Sequence, residues 1–207
     1  MTNFVFIRHG AHDYLGRAIA GRLPGVHLNE RGREQAEHLP EKLSRLPIDA
    51  ICSGPLERVR ETAEPICRHF NLPLQIADEF TEIGVGDWQD RAFTELTNEP
   101  LWKQFNAFRS STAAVGGELM LEVQARALRK LNALRGQHRW VVVVTHGDVV
   151  RSVMAHFLGM HLDLFLRIEI DPASLSILEY GEDFAIVRLL NMPSSGSPLE
   201  LPAARHQ

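Results

Sequence analysis

The stretch "RWVVVVTHGDVVRSVMAHFLG", residues 139–159, constrains the fold more than any other. Residues 140–144 are all apolar and mostly β-branched, with polar residues on both sides. A strand with no polar face must be buried on both faces, as in parallel sheets covered by helices. Thr145, His146 and Gly147 then turn the chain into a largely apolar helix that Gly159 closes.

The rest of the chain repeats this grammar. Residues 3–8 read as a buried strand ended by Gly10, and 48–53 and 72–77 as two more. Residues 174–180 and 184–190 read as a final pair. Helical spacing of apolar residues appears between them. Asn29 is the expected cap of a helix carrying Ala36, Leu39, Leu43 and Leu46. Pro55 opens a second, with Leu56, Val59, Ala63, Ile66 and Phe70 on one stripe. Pro40 and Pro65 fall inside these patterns, so a kink or break is expected at each. Residues 118–135 form another helical pattern. Alternating strands and helices predict an α/β fold: a three-layer α/β/α sandwich with a mostly parallel sheet and helices on both faces. Residues 80–117, with Trp88, Trp102 and "SSTAAVGG", read as a lid-like excursion after the third strand. The expected organisation is one domain over 1–191 and a Pro/Ser-rich arm or disordered tail over 192–207.

Composition narrows the partners. A net charge of −4 gives no general attraction to nucleic acid, so any anion site must be a local cluster of basic groups. No apolar run approaches the roughly 20 residues that span a bilayer. The N-terminal segment has no basic leader. Cys52 and Cys67 read as reduced thiols rather than a disulfide. A soluble, cytoplasmic protein is expected.

Ligands of such sheets gather at the carboxyl ends of the strands. Those ends bring Arg8 and His9, then Arg58 in the first turn of the next helix, then His146. Arg8 and His9 face opposite sides of a continuing strand, and the turn at Gly10 is expected to bring both to one pocket. Guanidiniums match phosphate oxygens, and helix N-termini add a positive dipole end. Imidazole is a competent nucleophile that splits a phosphoryl displacement into two steps. Two histidines and two arginines around one point therefore suggest phosphoryl chemistry.

"FVFIRHG" at 4–10 resembles the signature of the histidine phosphatase superfamily, which includes the cofactor-dependent phosphoglycerate mutases. "HLNERGREQA", "SGPLERVRETA", "FTEIGVGDW" and "VVVVTHGDVVR" match further family segments in order. The resemblance implies that His9 is the nucleophile and becomes phosphohistidine. Arg8, Arg58 and His146 would bind the phosphoryl group. Glu82 would be the proton donor, which then activates water. No metal or diffusible cofactor is implied, and the partner would be a small phosphorylated substrate that releases inorganic phosphate. Ala11 and Leu15 depart from the usual pattern, which has an acidic residue and an Asn there; His12 or Arg17 is the expected replacement. Trp88-Gln89-Asp90 and Leu119 depart as well. His12 and Arg22 are expected to bind substrate at the rim, where Arg17, Trp88, Lys103 and Arg109 also fall.

A phosphatase is favoured over a mutase, whose branch uses an additional basic cluster after the acid. Residues 98–117 offer only Lys103 and Arg109. A non-catalytic phosphate-binding module is disfavoured because His9 and Glu82 are both present. Metal hydrolysis lacks an H-E-x-x-H or comparable spacing, and no P-loop, G-x-G-x-x-G or G-x-S-x-G occurs.

Overall fold

Residues 4–7 alternate between two cores, and that alternation sets the layers. Phe4 and Phe6 join one buried cluster, and Val5 and Ile7 the other. The computed structural model describes residues 1–200. Its strands are β1 (Thr2–Arg8), β2 (Ala50–Ser53), β3 (Leu74–Ile76), β4 (Trp140–Thr145), β5 (Leu175–Tyr180) and β6 (Ala185–Met192). Its helices are α1 (Glu30–Leu43), α2 (Glu57–Phe70), α3 (Phe93–Leu96), α4 (Pro100–Ala107), α5 (Met120–Leu134) and α6 (Gly147–Phe157).

The strands form one sheet in the order β3-β2-β4-β1-β5-β6. Strands β3, β2, β4 and β1 are parallel neighbours. Only β5 runs against the rest, since it is antiparallel to both β1 and β6. On one face Leu39 and Leu43 of α1 and Val59, Ala63 and Ile66 of α2 cover Val5, Ile7, Val142 and Val144. On the other, α5 and α6 cover Phe4, Phe6, Val141 and Val143. The expected three-layer α/β fold is what forms. Burying each large apolar side chain contributes roughly 1.5–3 kcal/mol, so the β4 run stabilises both layers at once.

Helices α1 and α2 run through Pro40 and Pro65 without the expected break. A proline inside a helix costs about 3 kcal/mol through its missing N–H and its ring. Leu39 and Leu43 on either side of Pro40 are fully buried, as are Ala63 and Ile66 around Pro65. Their packing outweighs the local penalty. Asn29 caps α1 as expected, its side chain accepting from Gly32 N–H at 3.0 Å.

The excursion at 80–117 packs into the α5–α6 layer through Trp88, Leu96 and Phe105, all buried. The Trp88 ring meets Trp102 and Phe105 edge-on at 5.3 and 5.0 Å. Residues 193–200 return along α1: Lys42 Nζ donates to Ser195 O and Ser197 O, and Leu199 joins the α1–α2 core. Residues 201–207 of the expected tail lie outside the described residues. Among the described residues no helix is long and apolar enough to cross a membrane.

Register decides what meets at the carboxyl edge. Arg8 pairs with Thr145, and Ser53 with Val144, so β1, β4 and β2 end side by side. The chain leaving β1 is then pressed onto α1. A Cβ on Gly10 would lie 2.6 Å from Gly32 O, and one on Gly32 only 2.0 Å from Ala11 O. Only backbone fits at this crossing. Gly32→Ala is expected to destabilise the protein by about 1–3 kcal/mol, as other small-to-large changes in packed interiors do. Urea denaturation reads this; an unchanged midpoint would mean that the crossing yields easily.

Candidate active site

His9 extends β1 by one hydrogen bond, donating its N–H to Thr145 O at 2.9 Å. The turn at Gly10 follows, held by Gly10 N–H donating to Thr62 Oγ1 at 3.0 Å, which itself donates to Arg58 O at 2.7 Å. Thus the end of β1 is tied to the first turn of α2. Arg8 and His9 both line one cavity of ≈ 190 Å³, together with Arg58, Glu82 and the first residues of α6.

The His9 ring has a defined tautomer. Nδ1 lies 2.8 Å from Gly10 O, and a carbonyl only accepts, so Nδ1 carries the proton. Nε2 keeps its lone pair. Burial, then Arg58 and Arg8, hold the His9 pKa well below its ordinary value, so the ring is neutral at neutral pH.

Arg58 is 1% exposed. Its Nη2 donates to Gly21 O at 2.7 Å and lies 3.4 Å from His146 Nδ1. Arg8 Nη1 donates to Ile170 O at 2.7 Å. Among the described residues four buried nitrogens here have no hydrogen-bond partner: Arg8 Nε, Arg58 Nε and Nη1, and His146 Nε2. Each such group costs about 1–3 kcal/mol, and concentrating them at one point makes sense only for an anion. Burial, Arg58 and His9 push His146 well below its ordinary pKa. With Nδ1 facing the Arg58 donor, its Nε2 is the N–H end. The N-terminus of α6, at Gly147, opens on the same cavity.

Glu82 arrives from a different quarter. A 3-10 turn, Asp78–Phe80, is pinned to the sheet edge by Thr145 Oγ1 donating to Phe80 O at 2.7 Å. Glu82 follows it, with its side chain 17% exposed and Oε2 3.6 Å from His146 Nδ1. Oε1 accepts from Ile83 N–H at 2.9 Å. Burial, reinforced by the charge of Asp148, pushes its pKa up to about 7. A carboxyl that holds its proton near neutrality is suited to give it away.

Five of the expected residues therefore converge: Arg8, His9, Arg58, Glu82 and His146. His12 joins them. It is buried, its ring centroid is 5.0 Å from that of His9, and its Nδ1 has no partner among the described residues. Burial, then Arg58 and Arg8, lower its pKa to about 4. Leu15 lines the cavity too, and Arg17 does not. Arg22 is not brought into the cluster: its Nε donates to the Glu82 carbonyl at 2.8 Å and its Nη2 to Glu118 at 2.6 Å.

Sequence reasoning missed Asp148 and Arg151. Asp148 lines the cavity and binds Arg109 Nη1 at 2.9 Å and Arg151 Nη1 at 3.0 Å. Burial alone would raise the Asp148 pKa, but the two guanidiniums overcome it and keep the group ionised. An acid in the first turn of a helix with Arg three residues on was the available signal.

Comparison with known proteins identifies the family. The histidine phosphatase superfamily (branch 1) matches residues 4–193. Phosphoserine phosphatase 1 of Hydrogenobacter thermophilus is 30% identical over 200 residues, covering 93% of each chain. A 2,3-bisphosphoglycerate-dependent phosphoglycerate mutase of Thermoplasma acidophilum is 28% identical over 193 residues, 91% of this chain and 90% of its own. The alpha-ribazole phosphatase of Shigella flexneri has a similar structure, with a TM-score of 0.82 at 25% identity, covering 92% of this chain and 96% of that one. With a match across nearly all of the described fold, the chain belongs to the histidine phosphatase superfamily (branch 1).

Proposed function

We propose that the protein is a metal-independent phosphomonoester hydrolase that works through a phosphohistidine on His9. The observation that carries this reading is that His9, with its proton held on Nδ1, lines one cavity with Arg8 and Arg58, whose buried donors lack partners among the described residues. Nε2 attacks phosphorus as the ester P–O bond breaks. Glu82 gives its proton to the leaving oxygen. Arg8, Arg58 and the His146 Nε2–H take the charge on the phosphoryl oxygens. Water then attacks phosphorus as the P–N bond breaks, Glu82 takes the water's proton, the bonding pair returns to Nε2 and phosphate leaves. His12 stands beside the phosphoryl position in place of the family's Asn.

Residues 1–191 act as one catalytic domain, with 80–117 as its lid-like excursion; Phe93, Trp102 and Phe105 on the cavity wall support this. The partner is a small phosphorylated molecule. The two free cysteines fit a reducing, cytoplasmic setting.

Hydrolysis is favoured over mutase-type transfer by the state of the spare cations. Arg109 is buried on Asp148, Arg151 shares that carboxylate, and Lys103 is exposed. A panel of phosphomonoesters assayed for released phosphate is expected to give turnover that chelator does not affect. Isomerisation of phosphoglycerate without net release would overturn the reading in favour of the mutase.

A further inference from the structure

The acid is gripped from behind. The peptide unit joining Glu82 to Ile83 has two ends with different partners. Its N–H donates to the Glu82 carboxyl at 2.9 Å. Its carbonyl, Glu82 O, accepts from Arg22 Nε at 2.8 Å and from Arg126 Nη2 at 3.1 Å. Arg126 Nη1 also holds Glu79 O at 2.6 Å, one turn earlier.

Glu118 ties the two guanidiniums together. Its Oε1 accepts from Arg126 Nε at 3.0 Å, and its Oε2 from Arg22 Nη2 at 2.6 Å. Oε2 also lies 3.3 Å from Gly84 N–H, and Gly84 O accepts from Glu118 N–H at 2.7 Å. Further along, Asp87 N–H donates to Val115 O at 3.0 Å, and a Cβ on Gly86 would lie 1.9 Å from that oxygen. The acid-bearing loop is thus docked onto residues 115–118 by backbone bonds that a side chain at Gly86 would block.

We infer that Arg22, Glu118 and Arg126 form a clamp that positions Glu82 for proton donation by fixing the 82–83 peptide. The inference rests on Glu82 being the acid. Fixing the peptide fixes the direction of the N–H that orients the carboxyl. Guanidinium bonds at the carbonyl also polarise the amide and strengthen that N–H as a donor. None of the three residues lines the cavity where His9 stands. They are positioning residues, and their effect must pass through Glu82. A displacement of about 1 Å at a reacting group can cost on the order of 100-fold in rate.

Proton donation matters most when the leaving oxygen is basic, which supplies a selective readout. Substituted phenyl phosphates, from p-nitrophenyl to phenyl, are assayed on wild type, Arg126→Lys, Arg22→Met, Glu118→Gln and Glu82→Gln. Arg126→Lys keeps the charge and loses the fork. Arg22 is 40% exposed, so its variant tests the clamp without opening the core. In the clamp variants kcat/KM, which reports the first phosphoryl transfer, is expected to fall about tenfold or more for phenyl phosphate and less than about threefold for p-nitrophenyl phosphate. Competitive inhibition by inorganic phosphate should stay within about twofold, since the phosphate donors are untouched. Equal losses along the series in folded Arg126→Lys and Arg22→Met would overturn the clamp. If Glu82→Gln also leaves the series flat, the proposal falls with the acid assignment. A steep series in Glu82→Gln beside flat clamp variants places the failure in the clamp alone.

Discussion

His9→Ala is expected to lower turnover by on the order of 10⁴-fold or more, since a nucleophile's loss is rarely compensated by the surrounding groups. The same variant should trap no acid-labile, base-stable phosphate on the protein, whereas brief exposure of wild type to a labelled phosphomonoester should. Binding of inorganic phosphate should survive, because Arg8, Arg58 and His146 supply their donors independently of the His9 ring. Raised thermal stability in phosphate reads that binding. Turnover within tenfold of wild type would move the nucleophile elsewhere, with His12 next to examine at 5.0 Å between rings.

Glu82→Gln carries the second large effect. For alkyl phosphates kcat is expected to drop by about 10²–10⁴-fold, the usual range for a lost general acid. Its pH signature follows from the shift to about 7. The first step needs the protonated carboxyl, so wild-type kcat/KM should decline as pH rises above about 7, and the variant should lose that limb. Stability moves in the same direction. The carboxyl ionises near 4.5 when free of the fold and near 7 within it, so the folded state binds the extra proton between those values. Stability therefore falls as pH rises through that window. Gln does not titrate. The variant should become the more stable protein above pH 7, by on the order of 2–3 kcal/mol, and lose that advantage toward pH 4.5. Urea denaturation at pH 5 and pH 8 measures the gap; a gap independent of pH would contradict the raised pKa.

The parts of the site readable from sequence were those attached to the sheet. Arg8, His9, Arg58 and His146 each follow a strand with no polar face, and register alone brings such ends together. Glu82 lay beyond that logic. Its place depends on a 3-10 turn tied to Thr145 and on partners 36 and 44 residues onward, Glu118 and Arg126, which local periodicity does not encode; it came from family resemblance. Asp148 was hidden for another reason. An acid beside a candidate phosphate-binding histidine looks electrostatically wrong until Arg109 and Arg151 are seen to share it. Arg22 matched a rim residue by type, yet its side chain turns to a backbone carbonyl.

The same limits apply to the fold. Prolines read locally as kinks or breaks, and packing on both sides of Pro40 and Pro65 keeps the two helices unbroken. The third strand was expected over 72–77 and forms only at Leu74–Ile76, as a half-exposed edge where one neighbour sets its length. The run at 140–144 was legible because burial on two faces leaves a continuous mark in composition.

The position of β1 in the sheet has a consequence for synthesis on the ribosome. Asn3 pairs with Trp140, and on its other side with Glu179. The strand that bears Arg8 is therefore made well before either of its partners. Until residues 140–180 emerge, "FVFI" is an unpaired hydrophobic strand, the kind of segment that aggregates or recruits a chaperone. Translation pauses or amber truncations upstream of residue 140 should thus yield insoluble chains rather than partly active ones.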